Sequence, residues 1–200
     1  MNMVYLLLYV IAAMIVGFVM VKTYQEKDRM RRYVIVLLAL AMICIVSYSV
    51  NFMTDNYNVM SAATSIMMAA QDFLLVSLFI YTTEFARISN KVTKVMTIAA
   101  FVIAIIDSVV FIANIFNEIA VKYSLVKCDG IYVLGYEGEL WFGIHAVMSM
   151  IITACIIAVL VIKCIHIPGA YWGRYIVMAA GLAIIIPVSY THLRAHETAA

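Results

Sequence analysis

Two carboxylates and one imidazole are among the polar groups that interrupt long apolar stretches of this sequence, and the two carboxylates are its clearest candidates for chemistry. Asp72, Asp107 and His145 are each surrounded by aliphatic and aromatic residues. Such groups can exchange protons or bind a ligand. A carboxylate in an apolar setting costs at least ~2.5 kcal/mol, so it must face a partner or water. Interhelical hydrogen bonding is the structural alternative for Asp72 and Asp107. For His145 the alternative is an interfacial histidine that bonds to a neighbouring residue or a lipid headgroup.

Further polar residues recur at helical spacing around these groups. Between residues 61 and 83, one face carries Ser61, Thr64, Ser65, Met68, Gln71, Asp72, Leu75, Phe79, Thr82 and Thr83. Asn114 lies two turns beyond Asp107, and Ser149 lies one turn beyond His145. We therefore predict a cavity open to the outside of the cell, whose ligand-binding wall is formed by Asn51, Gln71, Asp72, Asp107, Asn114, His145 and Ser149.

The elements that carry these residues are predicted to be membrane-spanning helices. The chain is 66% hydrophobic and 12% charged, far from the composition of a soluble domain. An apolar run of about 20 residues crosses a lipid bilayer as a helix. The sequence predicts an all-α polytopic bundle with six spans, the sixth incomplete. The spans cover about 3–21, 33–53, 59–82, 95–116, 140–162 and 170–186.

Basic residues predict the orientation of the bundle. The segment 22–32 holds five Lys or Arg, and further basic residues follow the third and fifth spans. Because such residues stay on the cytoplasmic side, the N-terminus is predicted to lie outside. Because these basic residues lie beside the spans, they indicate the topology of the chain. They do not indicate a nucleic-acid partner.

The long outer segment 117–139 contains a hairpin signal. Asp129-Gly130 separates two β-prone runs. We expect a small hairpin over the outer mouth of the bundle, and an irregular tether is the alternative.

No motif for soluble catalysis or cofactor binding is present in the sequence. It contains no nucleotide-binding loop and no nucleophile elbow. Cys44, Cys128, Cys155 and Cys164 lack metal-site spacing. We expect no catalytic residue, metal or cofactor in this chain, which is therefore not expected to be an enzyme by itself.

The C-terminal end reads as foreign sequence. Residues 188–198, VSYTHLRAHET, are identical to the translation of a transposase sequencing adapter. We expect residues 187–200 to be a non-native tail and the native protein to continue past Ile186. The i, i+4 pair His192 and His196 is then an accident of the adapter and not a metal site.

The native part resembles a known family. The TDNYN turn at 54–58, the outer hairpin before LWFGIHAVMSM, and the segment IPGAYWGRYIVMAAGLAIII are similar to the N-terminal seven-helix region of bacterial sensor histidine kinases. The same module precedes diguanylate cyclases of the GGDEF type. The resemblance implies a sensory input module in the bacterial plasma membrane, with an unidentified small-molecule or physical stimulus. It also implies a missing output domain through which the protein forms a homodimer.

Two other classes remain open from the residues themselves. A secondary transporter fragment would also place acids such as Asp72 and Asp107 near the bilayer midplane. The complete spans lack the Gly/Pro breaks and internal repeats that are typical of transporters. A retinal-type proton pump would need a lysine within a late span, and spans one to five carry none.

Overall fold

The computed structural model of the chain describes residues 3–88, 91–128 and 131–166 together with Gly173 and Ile176. The described part contains α1 (Met3–Gln25), α2 (Arg31–Val50), α3 (Tyr57–Phe85), α4 (Lys91–Asn117), β1 (Val121–Cys128), β2 (Ile131–Gly138) and α5 (Leu140–Ile165). All five helices are long and apolar enough to cross a membrane. The predicted sixth span, apart from two single residues, and the tail at 187–200 lie outside the described residues.

The helices differ in length from the predicted spans. α1 continues past Val21 to Gln25, and α3 extends two residues before and three residues after the predicted 59–82. Hydropathy marks only the part of a helix that lies in hydrocarbon. The backbone hydrogen bonds can continue into the polar flank, so a helix need not end where its apolar run ends. α2 ends at Val50 and not at Met53, and turn residues follow it.

α3 is the central helix of the described bundle. It packs against α2, α4 and α5, whereas α1 packs against α2. In the most apolar 18-residue stretch of α3, half of the residues are buried, whereas the corresponding stretches of α1 and α2 contain no buried residue. Small residues such as Ala63, Ala69 and Ala70 are buried on α3, where they let neighbouring helices approach closely.

The buried face of α3 follows the predicted polar stripe. Eight of its ten members are buried, and Gln71 and Leu75 are half-buried. The helical spacing therefore identified the face that packs against other helices. Polar groups concentrate there because the lipid-facing side cannot satisfy their hydrogen bonds.

The predicted hairpin is confirmed. β1 and β2 pair antiparallel, from Val121 opposite Gly138 to Cys128 opposite Ile131. The predicted turn residues, Asp129 and Gly130, fall outside the described ranges. The hairpin packs on the bundle at the end of α4 and the start of α5. Its buried side chains Val121, Tyr123 and Leu134 form one core cluster with Met60, Met68, Phe111 and Ala120.

Candidate functional site

Three helices each contribute one ionisable side chain to a single buried cluster, which we call the triad. Asp72 comes from α3, Asp107 from α4 and His145 from α5. The Nδ1 atom of His145 lies 2.6 Å from Oδ2 of Asp107 and 3.2 Å from Oδ1 of Asp72. Each of the three residues is only 6% exposed. One imidazole nitrogen therefore connects two carboxylates, and through them three helices.

The second oxygen of each carboxylate is held by a different donor. The indole Nε1–H of Trp141 donates to Oδ1 of Asp107 at 2.7 Å. The hydroxyl of Ser108 lies 3.2 Å from the carbonyl of Ala69 and 3.5 Å from Oδ2 of Asp72. These contacts aim the remaining oxygen of each carboxylate at His145. Supporting hydrogen bonds of this kind fix the orientation of groups in a binding site.

Aromatic rings form apolar walls around the imidazole. The ring of Phe111 packs edge-on against His145, with centroids 4.8 Å apart. The ring of Phe142 lies nearly parallel to the imidazole at 6.2 Å. Hydrogen bonds and ion pairs are stronger in such low-dielectric surroundings, and an unpaired charge there is costlier. The triad therefore depends on its charges being balanced.

The triad lies in the half of the bundle nearest the hairpin. His145 is five residues after Leu140, the first residue of α5, which corresponds to about 7.5 Å along the helix. Asp107 is ten residues before Asn117, the last residue of α4, or about 15 Å. The hairpin and its core cluster therefore stand between the triad and this end of the bundle.

Asn114 lies two turns closer to the hairpin than Asp107 does, and there it forms hydrogen bonds with backbone groups. Its Oδ1 accepts from the amides of Ala120 and Val121 at 2.7 and 3.0 Å, and its Nδ2 donates to the carbonyl of Val121 at 3.0 Å. Asn114 is fully buried. It fixes the start of β1 on the end of α4.

The other predicted wall residues do not meet the triad. Asn51 donates to the hydroxyl of Thr64 at 3.1 Å and so joins α2 to α3. Gln71 and Ser149 are half-buried, and no hydrogen bond or ion pair between either of them and the triad occurs among the described residues. Of the seven predicted site residues, the structure brings together Asp72, Asp107 and His145.

Sequence reasoning missed two supporting residues of the triad, Trp141 and Ser108. Trp141 precedes His145 by four residues, so helical spacing alone places both on one face of α5. Ser108 directly follows Asp107, and no spacing rule marks it as a partner of Asp72.

The hairpin also bonds directly to α3. The phenol of Tyr123 lies 3.2 Å from the hydroxyl of Ser65, and burial raises the pKa of that phenol. Tyr57 donates to Glu118 at the base of the hairpin. On the exposed side, the hydrogen bond to Glu139 raises the pKa of the Lys122 ammonium group. The hairpin is thus attached to both α3 and α4.

The chemistry of the triad is that of a charged binding site. Two carboxylates and one imidazole can share protons or bind a cation. One potential ligand atom from each residue lies within 4.8 Å of the others. A bundle of apolar helices with such a cluster defines a multi-pass membrane protein whose interior carries a polar site.

Comparison with known proteins identifies the family. Residues 5–198 match the family described as the N-terminal 7TM region of histidine kinase, and the chain belongs to this family. No curated protein matches the chain. The family match confirms the resemblance found in the sequence. The chain is a membrane sensory region of the histidine-kinase type, and such a region is not itself catalytic.

Proposed function

We propose that this chain is the sensory input module of a bacterial signalling protein and that its stimulus acts on the triad of Asp72, Asp107 and His145. The observation that carries the proposal is that this buried charged cluster joins α3, α4 and α5 within a family of kinase sensory regions. A change in occupancy or charge at the triad therefore acts on three helices at once.

The signal leaves the triad through the helices. A stimulus drives output only if it binds two bundle arrangements with different affinity. Opening or tightening the Asp107–His145 contact changes how α4 and α5 meet, because this contact and the Trp141–Asp107 bond both link these helices. Small helix shifts of this kind then travel along α5 to its far end at Ile165.

The proposed orientation places the hairpin outside the cell. The basic segment 22–32 and the basic residues of 83–94 both lie at the end of the bundle opposite the hairpin. The positive-inside rule assigns that end to the cytoplasm and the N-terminus to the exterior. The triad then lies in the outer half of the plasma membrane, within reach of an extracytoplasmic stimulus.

The proposed output is a cytosolic kinase domain in the full-length protein. The family match favours a kinase over the diguanylate cyclase alternative. Sequencing the genomic region decides between a kinase domain, a GGDEF domain and further transporter-like spans, and either of the last two outcomes overturns the kinase output.

The test of the proposal measures output from the full-length protein in liposomes. Asp72→Asn, Asp107→Asn and His145→Gln are compared with the wild type for autophosphorylation across external pH and cation composition. In each variant, the proton or cation concentration that gives half-maximal autophosphorylation should change at least about 5-fold. This is the lower end of a typical coupling between two sites. Asp55→Asn is the matched control, because Asp55 is exposed in the turn between α2 and α3. Wild-type responses in all three folded triad variants would show that the triad is not the input site.

A further inference from the structure

We infer that the triad binds one divalent first-row transition-metal ion, with Oδ1 of Asp72, Oδ2 of Asp107 and Nδ1 of His145 as its protein ligands. This inference rests on the proposed function and names the class of stimulus for the same site. The three residues are buried on three different helices, and one ligand atom from each lies within 4.8 Å of the others.

The charges of the three side chains favour the binding of a dication. Within the described part of the chain, the two carboxylates form ion pairs with His145 alone. One imidazolium can neutralise only one of them. A metal ion with charge +2, two carboxylates and a neutral imidazole sum to zero. A neutral cluster is much less costly than a charged one at this depth in an apolar bundle.

The donor atoms select the kind of metal. Imidazole nitrogen suits zinc, copper, iron and nickel, whereas magnesium and calcium prefer sites made of oxygen alone. Two oxygens and one nitrogen leave a fourth coordination position for water, as in zinc sites with three protein ligands. Zn²⁺ is therefore a suitable probe.

The His145–Asp72 distance already suits a bound ion, the His145–Asp107 contact must widen to admit one, and the ligand atoms of all three residues lie within 4.8 Å of one another. Ligands around tetrahedral zinc lie about 3.3 Å apart, given bonds of about 2.0–2.1 Å. The distance from Nδ1 of His145 to Oδ1 of Asp72 is already 3.2 Å, and the distance to Oδ2 of Asp107 is 2.6 Å. Metal binding displaces the proton between Nδ1 and Asp107 to solvent, and the ion takes its place. The Asp107–His145 contact therefore opens on binding, which changes one of the links between α4 and α5.

The surroundings of the ligands match those of metal sites. Metal-binding carboxylates are commonly held by a second hydrogen bond through the other oxygen. Trp141 supplies this bond to Asp107, and the Ser108 hydroxyl, whose shorter contact is with the carbonyl of Ala69, lies 3.5 Å from the second oxygen of Asp72. These donors stay in place when the ligand oxygens turn from His145 to the ion.

The experiment uses the whole chain in lipid nanodiscs, with His192 and His196 replaced by alanine so that the C-terminal histidines do not bind the probe. Titration calorimetry with Zn²⁺ should show one ion per chain. Asp72→Asn, Asp107→Asn and His145→Gln should each weaken binding at least about 10-fold, and Trp141→Phe should weaken it about 10–100-fold. His166→Gln is the control, because His166 is exposed and contacts a carbonyl of its own helix.

Absence of stoichiometric binding, or equal affinity in the wild type and the triad variants, overturns the inference. X-ray absorption of the zinc-loaded wild type gives a readout that does not depend on the folding of any variant. One imidazole with oxygen neighbours is the expected first shell, and sulfur neighbours would assign the metal to cysteine instead.

Failure of the metal inference is distinguishable from failure of the proposed function. If the triad variants change kinase output but the wild type binds no Zn²⁺, the metal inference falls and the sensory site stands. If Zn²⁺ binds at the triad but the variants leave output unchanged, the metal site stands and the proposed function falls.

Discussion

At the scale of single residues, the hairpin half of the bundle contains buried polar side chains with well-defined partners. His145 joins two carboxylates, Trp141 orients one of them, and Asn114 holds three backbone groups of the hairpin. Groups buried in this way cost free energy when one partner is removed, because the other partner is left without a hydrogen bond. Substitutions can therefore separate roles in structure from roles in signalling.

Asn114→Ala should destabilise the protein by about 2–4 kcal/mol, because it leaves buried amides of Ala120 and Val121 without an acceptor. Thermal unfolding in detergent micelles measures the change. Asn117→Ala is the matched control, since Asn117 is exposed at the end of the same helix. Equal effects of the two substitutions would contradict the anchoring role of Asn114.

The phenol of Tyr123 and the hydroxyl of Ser65 form a buried hydrogen bond between hairpin and bundle. Tyr123→Phe and Ser65→Ala should each cost about 1 kcal/mol of stability. A double-mutant cycle should give a coupling of about 0.5–1.5 kcal/mol, because the second substitution removes a group whose partner is already gone. Strict additivity would show that the two groups do not interact.

At the scale of elements, the junction between β2 and α5 sets the position of the triad. Gly138 ends β2 and His145 lies in the second turn of α5, so a displaced junction moves the imidazole. A Cβ atom added at Gly138 would lie 2.5 Å from the ring of Phe142. Phe142 in turn stacks on His145. Glycine is required here by the close approach of the ring.

Gly138→Ala should destabilise the protein by about 1–3 kcal/mol through this overlap. It should also perturb the triad, because Phe142 must move. Gly143→Ala is the matched control, since an added Cβ there meets no atom within 4 Å. Gly143 lies inside α5, so alanine should leave stability unchanged or raise it by up to about 1 kcal/mol. Unfolding curves of both variants measure the change in stability. If Gly138→Ala leaves the stability unchanged, the close packing of Phe142 on Gly138 is refuted.

At the scale of the whole molecule, the distribution of charge sets the orientation of the bundle. Ser124 is exposed on the hairpin, and Lys27 is exposed in the loop between α1 and α2 at the opposite end. In a cysteine-free background, Ser124→Cys should react with a membrane-impermeant thiol reagent on whole cells, and Lys27→Cys should react only after lysis. The reverse pattern would invert the topology and place the triad in the inner half of the membrane.

The sequence by itself determined the class of protein and the main elements. Long apolar runs require helices, because a helix satisfies its own backbone hydrogen bonds in lipid. The Asp129-Gly130 signal between β-prone runs predicted the hairpin, and the polar stripe predicted the buried face of α3. These features depend on residues close together in the chain, so local patterns were enough. The helix ends were less well predicted, because hydropathy does not report where backbone hydrogen bonding stops.

Only the tertiary structure decided which polar residues meet. Asp72, Asp107 and His145 are separated by 35 and 38 positions in the sequence, and each lies on its own helix. Periodicity places each residue on a face of one helix, but the rotation and depth of one helix against another follow from packing across the whole bundle. For this reason the sequence placed Gln71 and Asn114 in the same predicted wall as Asp72 and Asp107. In the fold, Asn114 holds the hairpin, Gln71 stays outside the triad, and Trp141 joins it.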